Sequence, residues 1–191
     1  MIKFIIINGG HACGKTTLIK NIINHFNNNF EEIKTKFGYY TKLNKDIYFC
    51  GKVTSKVTGG DQCGYNNIFP IILYILNNEK NIKYIILESP MFSSNFSTPL
   101  KFLSYLKLNY NIEIINILLH ITNMEIIYKR CFNRTGKELN EEQKRNVDSR
   151  QKSIYRSFIK KYIFNYINSC IIDITNMTKE ELLNKILEFI Y

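Results

Sequence analysis

Apolar positions along this chain recur in two rhythms, and the rhythms give an order of elements. Residues 4–7, 83–88, 112–119 and 170–174 are short, nearly continuous apolar stretches rich in isoleucine. Runs of this kind, with no polar alternation, suit strands covered on both faces. Between them, residues 15–28, 66–77, 98–108, 123–132, 141–166 and 179–190 repeat apolar side chains at helical spacing and predict amphipathic helices. The stretch from Ile33 to Val53 reads differently. Its alternation over 33–41 and again over 46–53 predicts a hairpin turning at 43–45. Apolar strands alternating with helices argue for an α/β architecture, a parallel sheet with helices on both faces. Ligands in such sheets sit beyond the carboxyl ends of the strands. The end of the first strand, Glu88, His120 and Thr175 all fall there and are expected to converge on one crevice.

The first of these strand ends carries the sharpest chemistry. Residues 9–16 read Gly-Gly-His-Ala-Cys-Gly-Lys-Thr, a G-x-x-x-x-G-K-T phosphate-binding loop between an apolar strand and a helix. Gly9 and Gly14 let the backbone curl into a ring of N–H donors that includes Gly10, His11, Ala12 and Cys13. Lys15 reaches the terminal phosphates, and the Thr16 hydroxyl suits the accompanying magnesium. Thr17 continues into the helix, whose N-terminal dipole favours the same anion. The bland alternative, a glycine turn with an exposed lysine, fits the flanking strand and helix less well.

At 191 residues with 45% hydrophobic content, the chain supports one full core, so residues 1–191 are expected to form a single domain. Its excess of Ile, Asn, Lys and Tyr resembles a nucleotide-composition bias and carries no functional reading. Cys13, Cys50, Cys63, Cys131 and Cys170 are odd in number and widely spaced, with no C-x-x-C pair. They suit a reducing compartment such as the cytoplasm. No signal peptide precedes them, and no stretch approaches the length of about 18 apolar residues that a membrane span needs, so a soluble protein is expected. Cys13 would feel the helix N-terminus and could be a reactive thiol, or simply a small filler in the loop.

Charge sharpens the picture by its placement. The formal net charge is +10, and two basic segments, 34–56 and 129–161, account for more than all of it. They frame the phosphate loop and suggest a polyanionic partner, DNA among them, against the alternative of a solvated basic surface. All five arginines, Arg130, Arg134, Arg145, Arg150 and Arg156, lie in the second segment, although 21 lysines are scattered widely. Arginine binds phosphate through planar bidentate contacts and keeps its charge, so this clustering suggests a clamp on a transferred phosphoryl group. Arg130 and Arg134 share one helix face, and Thr135-Gly136-Lys137 then breaks the helix, giving a lid region over 130–150. On the next helix Val147, Ile154 and Phe158 define an apolar stripe, with Arg150 about 60° to one side. Arg145 and Arg156 lie nearly opposite that stripe. Arg150 is therefore the better candidate for reaching the site.

Other candidates are single residues. Glu88 ends an apolar strand where it can position magnesium or orient an acceptor, or merely face solvent. Asp61, in Gly59-Gly60-Asp61-Gln62, can accept a hydroxyl proton, yet aspartate is also a common turn former and helix cap. His120 could face phosphate, although a lone histidine is more often a satisfied polar group. No His/Cys grouping has zinc spacing and no nucleophile triad is visible.

The series of P-loop, strand ending in Glu88, Leu118-Leu119-His120 before Arg130-x-x-x-Arg134, and Ile172-Asp173-Ile174-Thr175 before a final amphipathic helix resembles the nucleoside and nucleotide kinase group of P-loop proteins. The resemblance covers almost the whole chain. It implies a three-layer P-loop kinase fold with a parallel five-stranded sheet, a small basic hairpin insertion over 33–62 and an arginine-rich lid. It also implies ATP and Mg2+, with Arg130 and Arg134 on the ATP phosphates or adenine and residues 175–177 touching adenine. The middle segment, Tyr48-Phe-Cys-Gly-Lys52 then Thr58-Gly-Gly-Asp61, resembles small phage-type kinases. Among these are phage kinases proposed to phosphorylate 5-hydroxymethyluracil in DNA during base hypermodification. That likeness makes Lys52, Gly59, Gly60, Asp61, Gln62 and Glu88 the acceptor side, and host cytoplasm the location. The motif Glu88-Ser89-Pro90 departs from the Glu-Gly more usual in the group.

The sequence reading is thus an ATP- and magnesium-dependent phosphotransferase acting on a hydroxyl of a nucleic-acid component. A free nucleoside or nucleoside monophosphate is the alternative acceptor. A P-loop ATPase or nucleic-acid-binding switch with no acceptor is the rival from another class. Oligomeric state is not encoded in any motif.

Overall fold

Residues Ile2–Gly9 form β1, whose isoleucines are β-branched and suit the pleated backbone, and Phe4 to Ile7 are fully buried. A computed structural model describes residues 1–26, 30–53, 66–89, 92, 98–160 and 168–191. After β1 come α1 (Lys15–His25), then three strands, β2 (Glu31–Thr35), β3 (Gly38–Asn44) and β4 (Ile47–Cys50). The chain continues through α2 (Ile68–Asn78), β5 (Tyr84–Glu88), α3 (Thr98–Asn109) and β6 (Ile112–His120). It ends with α4 (Met124–Thr135), α5 (Glu141–Phe158), β7 (Ser169–Asp173) and α6 (Lys179–Ile190).

The strands form one seven-stranded sheet in the order β2-β3-β4-β5-β1-β6-β7. From β4 to β7 all neighbours are parallel, while β2 and β3 are antiparallel additions beyond β4. Among the described residues the sheet thus has seven strands, five of them in its parallel part. One expectation is corrected: the 33–53 segment is a three-stranded meander whose last strand joins the parallel part, and not an inserted hairpin. The first expected strand breaks at Lys36 and Phe37, where the Thr35 hydroxyl bonds Gly38 and Phe37 and closes a tight turn. β4, buried at all four positions, is then a parallel strand beside β5.

Side chains alternate between two cores. Ile5 and Ile7 of β1 face α1, α4 and α6, whereas Phe4 and Ile6 face α2, α3 and α5. The sheet is therefore the middle of three layers. Helix boundaries follow local chemistry. Pro70 is tolerated in α2 because it lies in the first turn, where no intrahelical donor is lost. α5 and α6 each open with a capping box, Asn140 with Gln143 and Thr178 with Glu181. α4 stops at Thr135, where the Thr-Gly-Lys break was expected, and no helix among the described residues is long and apolar enough to cross a membrane.

Candidate active site

β1 is central in the parallel part of the sheet, between β5 and β6, so its carboxyl end opens at the middle of the layer. The chain leaves it through residues 10–14 and enters α1 at Lys15. Gly14 takes φ 79° before the helix, and no side chain caps α1 or places an acid in its first turn. Its leading N–H groups are thus left for an external anion. Ala12 has φ 58°, a left-handed conformation unusual for a residue with a β-carbon.

Beyond this loop is a cavity of about 600 Å3. It is lined by the loop and helix residues His11 to Thr17, by Glu88 from β5 and by Arg130 and Arg134 from α4. Ile174, Met177, Leu182 and Leu18 give it apolar wall, beside the polar Asn21, Asn133, Thr178 and Lys179. Lys15 Nζ donates to the Gly10 carbonyl at 3.0 Å, and Arg130 Nη1 donates to the Ala12 carbonyl at 3.2 Å. The Thr16 hydroxyl lies 3.4 Å from Glu88 Oε1, and Glu88 is only 4% exposed. A hydroxyl and a carboxylate beside a phosphate loop are hard oxygen donors of the kind that hold Mg2+ together with water. The field in the cavity is cationic. Burial lowers the His11 pKa, and the charges of Arg134, Lys15 and Arg150 lower it further.

Several expected residues lie elsewhere. Gly10 is buried behind the loop and Arg150 is exposed on α5; neither lines the cavity, although the Arg150 charge is felt at His11. Thr175 bonds Asp173 and the Thr122 backbone N–H, so its side chain shapes the turn while its neighbours Ile174 and Met177 form the cavity wall. His120 packs its ring against Tyr155, centroids 4.4 Å apart, and burial lowers its pKa while Asp173 opposes this. Cys13 is fully buried, and desolvation pushes its thiol up despite nearby Lys15, which fits the filler reading. Lys52 lies over the Tyr39 ring at 3.9 Å, and Lys36 over Phe37 at 5.0 Å. Arg145 and Arg156, with Lys152, border an open groove on the outer face of α5. Gly59, Gly60, Asp61 and Gln62 lie outside the described residues.

Leu18, Asn21, Asn133 and Leu182 line the cavity without having been expected there, and a further residue was missed behind the loop. Gln151 of α5 is 4% exposed and donates Nε2–H to the His11 carbonyl at 3.0 Å, directly behind the loop. The signal was in the sequence: Gln151 sits four residues after Val147 and three before Ile154, so it occupies the apolar stripe itself.

No protein-family model matches the sequence, and no curated protein matches it significantly. Solved structures do resemble it in overall form. An uncharacterized protein from Eubacterium ventriosum is 16% identical with a TM-score of 0.50, the match covering 100% of this chain and 98% of that one. A deoxyadenosine kinase from M. mycoides is 12% identical with a TM-score of 0.46, covering 98% of both chains. The YGR205w protein is 14% identical with a TM-score of 0.46, covering 90% of this chain and 86% of that one. Identities this low speak to the fold alone: a mostly parallel α/β sheet flanked by helices.

Proposed function

We propose that the protein is a P-loop kinase that transfers the γ-phosphoryl group of ATP to a hydroxyl of a nucleic-acid component. The observation that carries this reading is the single cavity shared by Lys15, Thr16, Glu88, Arg130 and Arg134. Its apolar side chains Ile174, Met177 and Leu182 suit a nucleobase, and its cations Lys15, Arg130 and Arg134 suit a polyphosphate. Lys15 and Arg130, which now bond loop carbonyls, exchange those partners for phosphate oxygens. Thr16 and Glu88 would hold Mg2+, which when bound neutralises charge on the phosphates. Arg134 lines the same cavity and Arg150 adds positive potential as charge moves to the leaving group. The acceptor oxygen attacks the γ-phosphorus, the bond to the bridging oxygen breaks and ADP leaves. The acceptor proton goes to Asp61, a role assigned from the Gly-Gly-Asp-Gln sequence.

For the acceptor we favour the 5-hydroxymethyl group of 5-hydroxymethyluracil in DNA. Lys34 pairs with Tyr39 across β2 and β3, and Lys52 lies over the Tyr39 ring, a basic and aromatic patch on the meander, and β4 runs parallel to β5 and β1 toward the loop's edge of the sheet. Such surfaces bind phosphate backbones in a salt-dependent way. The protein, incubated with γ-labelled ATP, Mg2+ and duplex DNA containing 5-hydroxymethyluracil, should transfer label to the DNA. Label on the matching free nucleoside or nucleotide alone would assign a small acceptor instead. Release of phosphate that no acceptor raises above the rate with water would assign an ATPase.

A further inference from the structure

Three consecutive carbonyls of the phosphate loop are held by side chains from three helices. Gly10 C=O accepts from Lys15 of α1, His11 C=O from Gln151 of α5, and Ala12 C=O from Arg130 of α4. Two of these donors are cations and one is a neutral amide. An incoming polyphosphate competes for Lys15 and Arg130, because charge-assisted bonds to phosphate are stronger than bonds to a neutral carbonyl. It does not compete in this way for Gln151. The amide is buried, does not line the cavity, and contacts the loop at a second point through Cys13 Sγ, 3.8 Å from Nε2.

We propose that Gln151 is the positioning residue that keeps the loop receptive to phosphate when Lys15 and Arg130 let go, and thereby couples α5 to the nucleotide site. In a trans peptide the C=O and the following N–H point in opposite directions. Holding His11 C=O toward α5 therefore turns the Ala12 N–H away from α5, and Ala12 is a cavity residue. The same contact steadies the left-handed turn at Ala12, φ 58°. Gly10 completes the fit, since a β-carbon there would overlap the Gln151 carboxamide. The residue just before it on α5 is Arg150, whose charge reaches His11, so a shift of this helix moves both the loop clamp and the local field.

The proposal rests on the cavity being a nucleotide site, and the test separates the two. MgATP affinity is measured by calorimetry for the wild type, Gln151→Leu and Gln151→Glu, with thermal unfolding in parallel. Gln151→Leu keeps the shape but leaves a buried carbonyl unpaired, and should weaken binding about tenfold. Gln151→Glu should bind worst when ionised and regain affinity as pH falls, because the protonated acid again has a donor for His11 C=O. Should Gln151→Leu fail to fold, Gly10→Ala is the second probe. It should weaken binding in the wild type but cost nothing further when added to Gln151→Ala, which vacates the space. Wild-type binding with Gln151→Leu within twofold of it, or additive effects of Gly10→Ala and Gln151→Ala, would overturn the coupling. A wild type that does not bind MgATP would overturn the nucleotide reading itself.

Discussion

Two glutamates, Glu79 before β5 and Glu88 at its end, have contrasting surroundings. Glu79, just before the strand, accepts hydrogen bonds from Tyr40, from Tyr48 at 3.0 Å and from Lys42 at 3.2 Å. Burial alone would push its carboxyl up, but the hydrogen bonds from Tyr40, Tyr48 and Lys42 more than offset this, leaving it below the usual range. Both phenols are correspondingly pushed up, by burial first and then by Glu79. Tyr40, Lys42 and Tyr48 belong to β3 and β4, so this carboxylate fastens the end of α2 to the meander. Glu88, at the far end of β5, is more deeply buried yet borders the cavity beside the Thr16 hydroxyl. Burial alone therefore does not tell the two acids apart. What differs is that Glu79 is held by two phenols and an ammonium, whereas Glu88 borders a cavity that Lys15, Arg130 and Arg134 also line.

The largest effect should come from Glu88→Gln. It preserves shape and removes the charge that would organise Mg2+, so the rate of phosphoryl transfer should fall about 100-fold or more. Unfolding should change little by comparison. Steady-state transfer assays beside thermal melts check this, and a variant that melts early but turns over normally would make Glu88 a structural acid like Glu79.

Glu79→Gln should do the reverse. Replacing a carboxylate that accepts two phenolic hydroxyls and an ammonium with an amide should cost about 2 kcal/mol of stability, read from urea denaturation. Turnover per folded molecule should hold. The pH dependence has a definite sign: the folded pKa of Glu79 is lowered, so its contribution is full above the ordinary value of 4.5 and is lost as pH falls through the lowered one. The variant should therefore show a shallower acid destabilisation than the wild type below that value.

The same contrast explains what could be read in advance. The strand ends, the glycine loop from β1 into α1 and the Thr135 helix stop were legible, because apolar runs, glycines and breakers act locally. The meander was misread because Ile33 to Thr41 alternates through its turn, and only the pairing of Thr41 with both Glu32 and Phe49 shows that two strands are involved. Glu79 was passed over since its partners lie 31 to 39 residues earlier in the chain. Gln151 was hidden for a different reason. Charge on α5 lies beside the apolar stripe, whereas the residue that reaches the loop is neutral and lies within it.

The smallest expected effect comes from the cations that distinguish the Glu88 end of β5 from the Glu79 end. His11 has a lowered pKa, from burial and then from Arg134, Lys15 and Arg150. In the free protein its neutral form is favoured, so the stability linked to it is full above 6.5 and is lost as pH falls through the lowered value. A bound polyphosphate supplies the opposite charge and should raise that pKa again. Binding then takes up part of a proton in the window below 6.5, and MgATP affinity should rise as pH falls through it. We expect a gain of about threefold between pH of roughly 7.5 and 6, measured at saturating Mg2+ to limit titration of the nucleotide. His11→Asn should flatten this slope while retaining binding, since its backbone remains in the loop. An unchanged slope in His11→Asn would assign the proton to another group and remove His11 from the field that the arginines create.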